Sequence, residues 1–245
     1  MRKRLRIAFW CVLLSAPAVL KVADFLSSRP AAQGVGVRLV TVNVDTRPLQ
    51  VAQALQPLRP DIVFMQETAV PCAEAGRVLG LLAKDGSDQC LLSRWPLTTK
   101  PVAWPGPWQP PQLMVVDHPA YGQLVLVNAR LALPHTIAAL SGNAWYTGAQ
   151  RRNQYAALRR LLAAEQRVVV CGDLNALPVE VDLDSRFQDM WSRFTYGGTF
   201  PVWLPAARID QCWATSDLVV TASWTQAVPS DHRAVVVDFR DAGGR

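Results

Sequence analysis

The chain has 245 residues, 50% of them hydrophobic and 18% charged, with 14 glycines, 18 prolines and no low-complexity tract. This composition excludes a disordered tail, a collagen-like fibre and a disulfide-dense miniprotein, and the length suits one large domain or two small ones. The formal charge of +6 is concentrated at the start, where Arg2, Lys3, Arg4 and Arg6 supply four of the excess charges; beyond them the chain is near +2, with lysine at three positions only, a weak footprint for duplex nucleic acid.

Those four cations precede an apolar run from Ile7 to Leu20, which Lys21 and Asp24 interrupt. A basic segment followed by a short apolar run is the layout of a secretory signal or a signal-anchor, although it falls short of the ~20 residues that span a bilayer comfortably. Residues 1–26 are therefore expected to form an N-terminal hydrophobic helix serving as signal-anchor or signal peptide. Positive charge stays on the cytoplasmic side, so the body is expected beyond an inner membrane, either anchored to it or exported. Residues 27–36 (SSRPAAQGVG) read as a linker, and residues 37–240 as a single domain without an internal repeat.

Within that domain, Val37 opens an alternating, β-branched strand (VRLVTVNV). Arg47 to Leu58 reads as a helix with Pro48 in its first turn, DIVFMQE as a buried strand, and residues 73–83 as a second helix. Several short strands are expected from Gln89 to Leu133, broken by Pro/Trp/Gly clusters and a turn at Tyr121-Gly122. Gly148 to Gln166 carries a helical stripe of Tyr155, Leu158, Leu161 and Leu162, and RVVVCGD, ARIDQCWAT and RAVVVDF follow as strands. Few helices among many strands point to a mixed α/β domain with two sheets packed together.

Cys11 lies in the apolar run; Cys72 and Cys90 flank a short helical stretch and can close a loop in an oxidising compartment. Cys171 and Cys212 sit within apolar strands, where free buried thiols are expected. No Cys/His spacing suits a structural zinc.

The chemistry-bearing residues stand at strand ends. Asn43 closes the first apolar run, Glu67 ends FMQET, Asp173 and Asn175 end VVVCGDLN, Asp210 sits in RIDQCWA, and Asp231 and His232 precede the last strand. Polar groups that terminate apolar strands cost desolvation unless something satisfies them, and carboxylates gathered at one sheet edge repel unless a cation lies between them. Oxygen ligands of this kind suit Mg²⁺ or Mn²⁺.

TVNV, FMQET, GDLN, RID and SDHR, in that order and strand context, resemble the endonuclease/exonuclease/phosphatase superfamily of DNase-like phosphodiesterases and phosphatases, from Val37 to about Phe239; LLSRWPL is similar to the same family's segment after the Glu strand. The resemblance implies a four-layer sandwich, two mixed β-sheets face to face with helices outside, and a site at one end. It also implies roles. Glu67 would be the principal Mg²⁺ ligand, beside Asn43 and near Asp231. Asp173 would orient and deprotonate the attacking water, and Asn175 would hold that water or a phosphate oxygen. His232 would contact the phosphate, oriented by Asp210.

Two positions depart from the family pattern. Arg130 stands in a slot that often holds His or Tyr, where it can clamp a phosphate but cannot act as a general acid; His135 follows five residues later, either in a surface loop or reaching into the site from it. Gln211 follows RID where relatives commonly have an aromatic or His. His118 is expected to face solvent, and Arg151 and Arg152, with Gln154 behind them, suit either a solvated helix face or a phosphate contact. Trp95, Trp104 and Trp108 lie among prolines, suited to core or hairpin packing, base stacking or membrane contact. The expected function is that of a monomeric, divalent-metal-dependent phosphoesterase cleaving a phosphodiester of nucleic acid or a phospholipid headgroup by in-line water attack. A phosphomonoesterase differs only in pocket depth, and the alternative class is a catalytically degraded binding module on the same fold.

Overall fold

The computed structural model describes residues 36–105, 109–132, 144–191 and 197–243. The N-terminal hydrophobic segment, the linker up to Val35, Trp108 and His135 lie outside these residues. Among them, twelve strands form two six-stranded sheets. No helix among them is long and apolar enough to cross a membrane.

The first sheet is built around β1 (Val37–Asn43) and β2 (Ile62–Gln66), which run parallel and are joined by α1 (Pro48–Leu55). Outside this pair lie β4 (Gln89–Ser93) and β3 (Leu82–Asp85) on one side, β12 (Ala234–Asp241) and β11 (Leu218–Gln226) on the other, all antiparallel to their neighbours. The second sheet repeats the plan. Its parallel pair is β7 (Gly122–Arg130) and β8 (Val168–Asp173), joined across α3 (Ala144–Leu162). β6 (Gln112–His118) and β5 (Leu97–Lys100) flank β7, and β10 (Asp210–Thr215) and β9 (Phe187–Asp189) flank β8.

Side-chain alternation along each strand produces the layers. Leu39, Ile62, Phe64, Leu91, Met114, Leu124, Leu126, Val169, Val235 and Val237 pack between the sheets. Val40, Val42, Val63 and Met65 face the opposite way, onto Val51, Ala52 and Leu55 of α1 and Ala75 of α2 (Ala73–Leu79). On the far side Val125, Val127, Val168 and Val170 pack on Tyr155, Leu158 and Leu162 of α3. The expected four-layer arrangement of two mixed sheets with helices outside is the one observed.

Local differences from the expectations have identifiable causes. The helix expected over residues 73–83 stops at Leu79 because Gly80 adopts a left-handed cap (φ 69°), and β3 follows. The α3 helix starts at Ala144 and ends at Leu162, four residues earlier at each end than the expected Gly148 to Gln166. The expectation of free thiols at Cys171 and Cys212 is corrected: the two residues lie directly opposite in the β8/β10 register and form a disulfide. Cys72 and Cys90 form the second, tying the start of α2 to β4. His118 does not face solvent. It is buried, its Nδ1 accepts the backbone N–H groups of Ala120 and Tyr121, and its ring stacks on Tyr121. Trp95 packs against the inter-sheet core and Trp104 against the α3 side.

Toward one end of the sandwich the inward positions change from apolar to polar. Continuing the β1, β2 and β7 alternation past Leu39, Phe64 and Leu126 brings Thr41, Gln66 and Asn128 inward. Gln66 Nε2 donates to Asn128 Oδ1 (2.7 Å) and Thr41 Oγ1 (3.2 Å), and Asn128 Nδ2 donates to the carbonyls of Met65 and Cys90 and to Gln112 Oε1. This buried amide layer joins the sheets below the strand ends. Replacing Asn128 with Ala strands several of these donors and acceptors, and leaving them unpaired is expected to cost about 3 kcal/mol, to be read from the shift of the urea unfolding midpoint at constant m-value.

Candidate active site

One alternation step beyond the amide layer lie Asn43, Arg130 and Asp173, with Asp210 opposite Asp173 in the register. Glu67 follows β2 directly, in the left-handed region at φ 56°. Asn175 has the same conformation at φ 48°. Non-glycine residues there cost roughly 1–2 kcal/mol each, and such strain collects where a side chain must be aimed. Gly172, before Asp173, is required by close approach: a Cβ on it would meet the Ala129 carbonyl oxygen at 1.8 Å.

Side-chain bridges cross from one sheet to the other at this end. Asn43 Nδ2 donates both to Glu67 Oε1 (2.9 Å) and to Asp173 Oδ2 (3.2 Å). His232, on the loop before β12, brings Nδ1 to 2.8 Å from Asp210 Oδ2 on the other sheet. Ser230 locks this loop to β1: its hydroxyl donates to the Asn43 carbonyl (2.7 Å) and accepts the His232 N–H (3.1 Å). Phe200 covers the imidazole, with ring centroids 4.7 Å apart. Asp231 Oδ1 stands 4.0 Å from His232 Nε2, with its side chain largely in solvent. Asn175 donates its backbone N–H to Asp173 Oδ1 (3.1 Å) and its side-chain amide to the Leu131 carbonyl (2.9 Å).

Arg130 is committed to carboxylates. Nη2 lies 2.5 Å from Glu67 Oε1 and Nη1 3.1 Å from Asp88 Oδ2. Asp88, in the turn before β4, was not legible in the sequence, since nothing in DGSDQC marks it. Thr199 was missed as well; its hydroxyl accepts the Asp210 N–H at 3.2 Å. Ser230, by contrast, is the first residue of the SDHR motif and carried that signal. Arg151 reaches the Asn175 carbonyl (2.6 Å) and Glu180, so it supports the site wall, while Arg152 is exposed. Gln154 is buried and accepts the Ala132 N–H. Gln211 is one step out of phase with Asp210 and Cys212; it is buried and donates to the Ala176 and Arg208 carbonyls.

Electrostatics match this crowding of carboxylates. Burial, and then the charge of Asp210, hold the Asp173 carboxyl well above the ordinary carboxylate range. Burial would lower the His232 imidazole, but Asp210, followed by Asp173 and Asp231, outweighs it and lifts the pKa to about 9. The donor set suits a hard divalent cation. Glu67, Asn43, Asp173 and Asp231 offer oxygen, one Asp210 oxygen is buried without a partner, and among the described residues no hydrogen bond reaches Glu67 Oε2. A cation here would relieve the charge that raises Asp173. Asp210 supplies the foremost influences that raise His232. Asp210→Asn is expected to lower the imidazole titration from about 9 toward the ordinary imidazole value, followed by NMR of the ring nitrogens.

The family model described as Endonuclease/Exonuclease/phosphatase family matches residues 40–232. A search among curated proteins finds no match. Among solved structures, an endonuclease/exonuclease/phosphatase from Bacteroides vulgatus superposes with a TM-score of 0.65 at 17% identity, over 85% of this chain and 100% of the other. Truncated Caenorhabditis elegans TDP2 gives 0.62 at 18% identity, over 84% and 98%. D. rerio TDP2 in complex with a single-strand DNA product gives 0.58 at 17% identity, over 84% and 100%. Similarity at these identities speaks to the fold. The sequence match over most of the chain and the two-sheet architecture together establish that this protein belongs to the endonuclease/exonuclease/phosphatase family.

Proposed function

We propose that this protein is a divalent-metal-dependent phosphodiesterase that cleaves its substrate by in-line attack of water. One observation carries the reading: Asn43 joins Glu67 of one sheet to Asp173 of the other, 2.9 and 3.2 Å away, beside the His232–Asp210 pair. Glu67, with Asn43 and Asp231, would hold Mg²⁺ or Mn²⁺. Such a cation supplies charge neutralisation at the phosphate oxygens.

The chain's own residues supply the rest. Asp173 orients the attacking water and takes its proton, which its raised pKa favours. A bond forms from the water oxygen to phosphorus, the bond from phosphorus to the leaving oxygen breaks, and solvent protonates that oxygen. The products are a phosphomonoester and an alcohol. His232 remains an imidazolium below about pH 9 and donates to a non-bridging oxygen as charge develops there. Asp210 orients the ring through Nδ1, which leaves Nε2 for the phosphate. Arg130 orients Glu67 and is itself held by Asp88. Asn175 backs Asp173 through its backbone N–H, and its side-chain amide, anchored on the Leu131 carbonyl, leaves its Oδ1 to accept from the water.

The cellular setting belongs to the same proposal. Two disulfides and the basic-then-apolar N-terminal sequence support a catalytic domain outside the cytoplasm, tethered to or released from an inner membrane. The D. rerio relative's DNA product supports nucleic acid as one substrate class; a phospholipid headgroup is the other.

The test is hydrolysis of bis(p-nitrophenyl) phosphate by the Mg²⁺-loaded protein. Asp173→Asn and His232→Ala are each expected to lower kcat by at least about a hundredfold with an unchanged circular dichroism spectrum, and chelation to abolish the activity reversibly. Full activity in both variants, or in excess chelator, rejects the reading.

A further inference from the structure

Among the described residues, six large apolar side chains are exposed, and five of them gather at one end of the molecule. Val70 stands three residues beyond Glu67. Leu177 and Val179 follow Asn175, and Val179 is 91% exposed. Trp203, 66% exposed, and Leu204 lie in the loop whose Phe200 covers His232, and the neighbouring Val202 N–H donates to the Asp231 carbonyl at 2.7 Å. The sixth, Leu82, pairs in register with Ser93, which pairs with Ile62, and so lies at the opposite end. Scattered exposed apolar residues are ordinary. Apolar residues on three separate loops beside the same site residues are not.

The loops share a second property. Residues 68–72 (TAVPC), 176–179 (ALPV) and 200–207 (FPVWLPAA) contain no charged residue, and the charges that flank them are paired: Glu67 with Arg130, Glu180 with Arg151 and Arg208 with Asp189. A rim that tracked a nucleic-acid backbone would present Lys or Arg, and one that stacked bases would present several aromatics; here four of the five exposed side chains are aliphatic. Uncharged aliphatic loops with a tryptophan suit the boundary between headgroups and acyl chains.

We infer that the rim of this site docks on a phospholipid surface, so that the phosphodiester it receives is that of a lipid headgroup; this rests on the phosphodiesterase reading above. The chain preceding the described residues suits such docking. Residues 27–36 reach roughly 33–36 Å when extended, against about 23 Å for the seven residues of β1. A body tethered at the far end of β1, as proposed above, can therefore still turn this end to the bilayer.

The experiment uses the full chain reconstituted in phosphatidylcholine vesicles with Mg²⁺. Rates on vesicle phosphatidylcholine and on soluble bis(p-nitrophenyl) phosphate are compared for wild type, V179E/L204E and, at the far end, L82E. The vesicle-to-soluble ratio is expected to fall at least about tenfold in V179E/L204E, which removes two exposed apolar side chains from the interface, and to hold in L82E. The fluorescence that W203F removes is expected to be quenched by phosphatidylcholine brominated on its acyl chains. An unchanged ratio together with unquenched Trp203 overturns the inference. So does preferential cleavage of a single-stranded oligonucleotide that is lost in V179E/L204E, which assigns the rim to nucleic acid. Failure of wild type on the soluble diester rejects the phosphodiesterase reading instead, and the quenching still decides whether the rim enters lipid.

Discussion

A buried polar side chain at the end of a strand must find a partner, and in this protein it finds one on the other sheet. The inward faces of both sheets run from apolar to polar in the same direction, so that where the hydrophobic core ends an amide layer of Gln66, Asn128 and Gln112 takes over. Beyond it the carboxylates begin. Burying Asp173 and Asp210 side by side is unfavourable for an uncompensated pair. Asn43, His232 and a cation-ready cluster of oxygens are the means of offsetting that cost.

The same constraint explains why structure and reactivity cannot be separated here. The interactions that hold the sheets in register at this end also aim the groups proposed to act on a phosphate. Asp210 stabilises an imidazolium that contributes to the fold through its cross-sheet bond and, in the proposed reaction, through its positive charge. Glu67 and Asn175 are kept in left-handed conformations by their surroundings, which directs their side chains away from the paths their strands would have taken. The Cys171–Cys212 disulfide lies one alternation step below Asp173 and Asp210 and pins the two strands that carry them.

Arg130 shows how a departure from the family pattern is absorbed. An arginine is too long and too strongly charged to repeat the role of an imidazole. The fold supplies Asp88 as well as Glu67 to receive its two amino groups, so the cation becomes part of the wall of the acidic pocket. A smaller residue at that position would leave both carboxylates facing each other.

What the sequence determined by itself was the part encoded locally. Period-two alternation in VRLVTVNV and QLVLVNARL, apolar runs closed by Asn, Glu and Asp, and five short motifs in order are enough to specify the strands, the family and most of the chemical groups. Cys171 and Cys212 show the limit: each reads as an ordinary buried residue, and only antiparallel pairing of β8 with β10 sets them face to face. Asp88, Thr199 and the exposed apolar side chains of the Val179 and Trp203 loops were likewise decided in three dimensions. Their significance lies in which distant segments the two sheets bring to one end, and contacts between such segments leave no periodic trace along the chain.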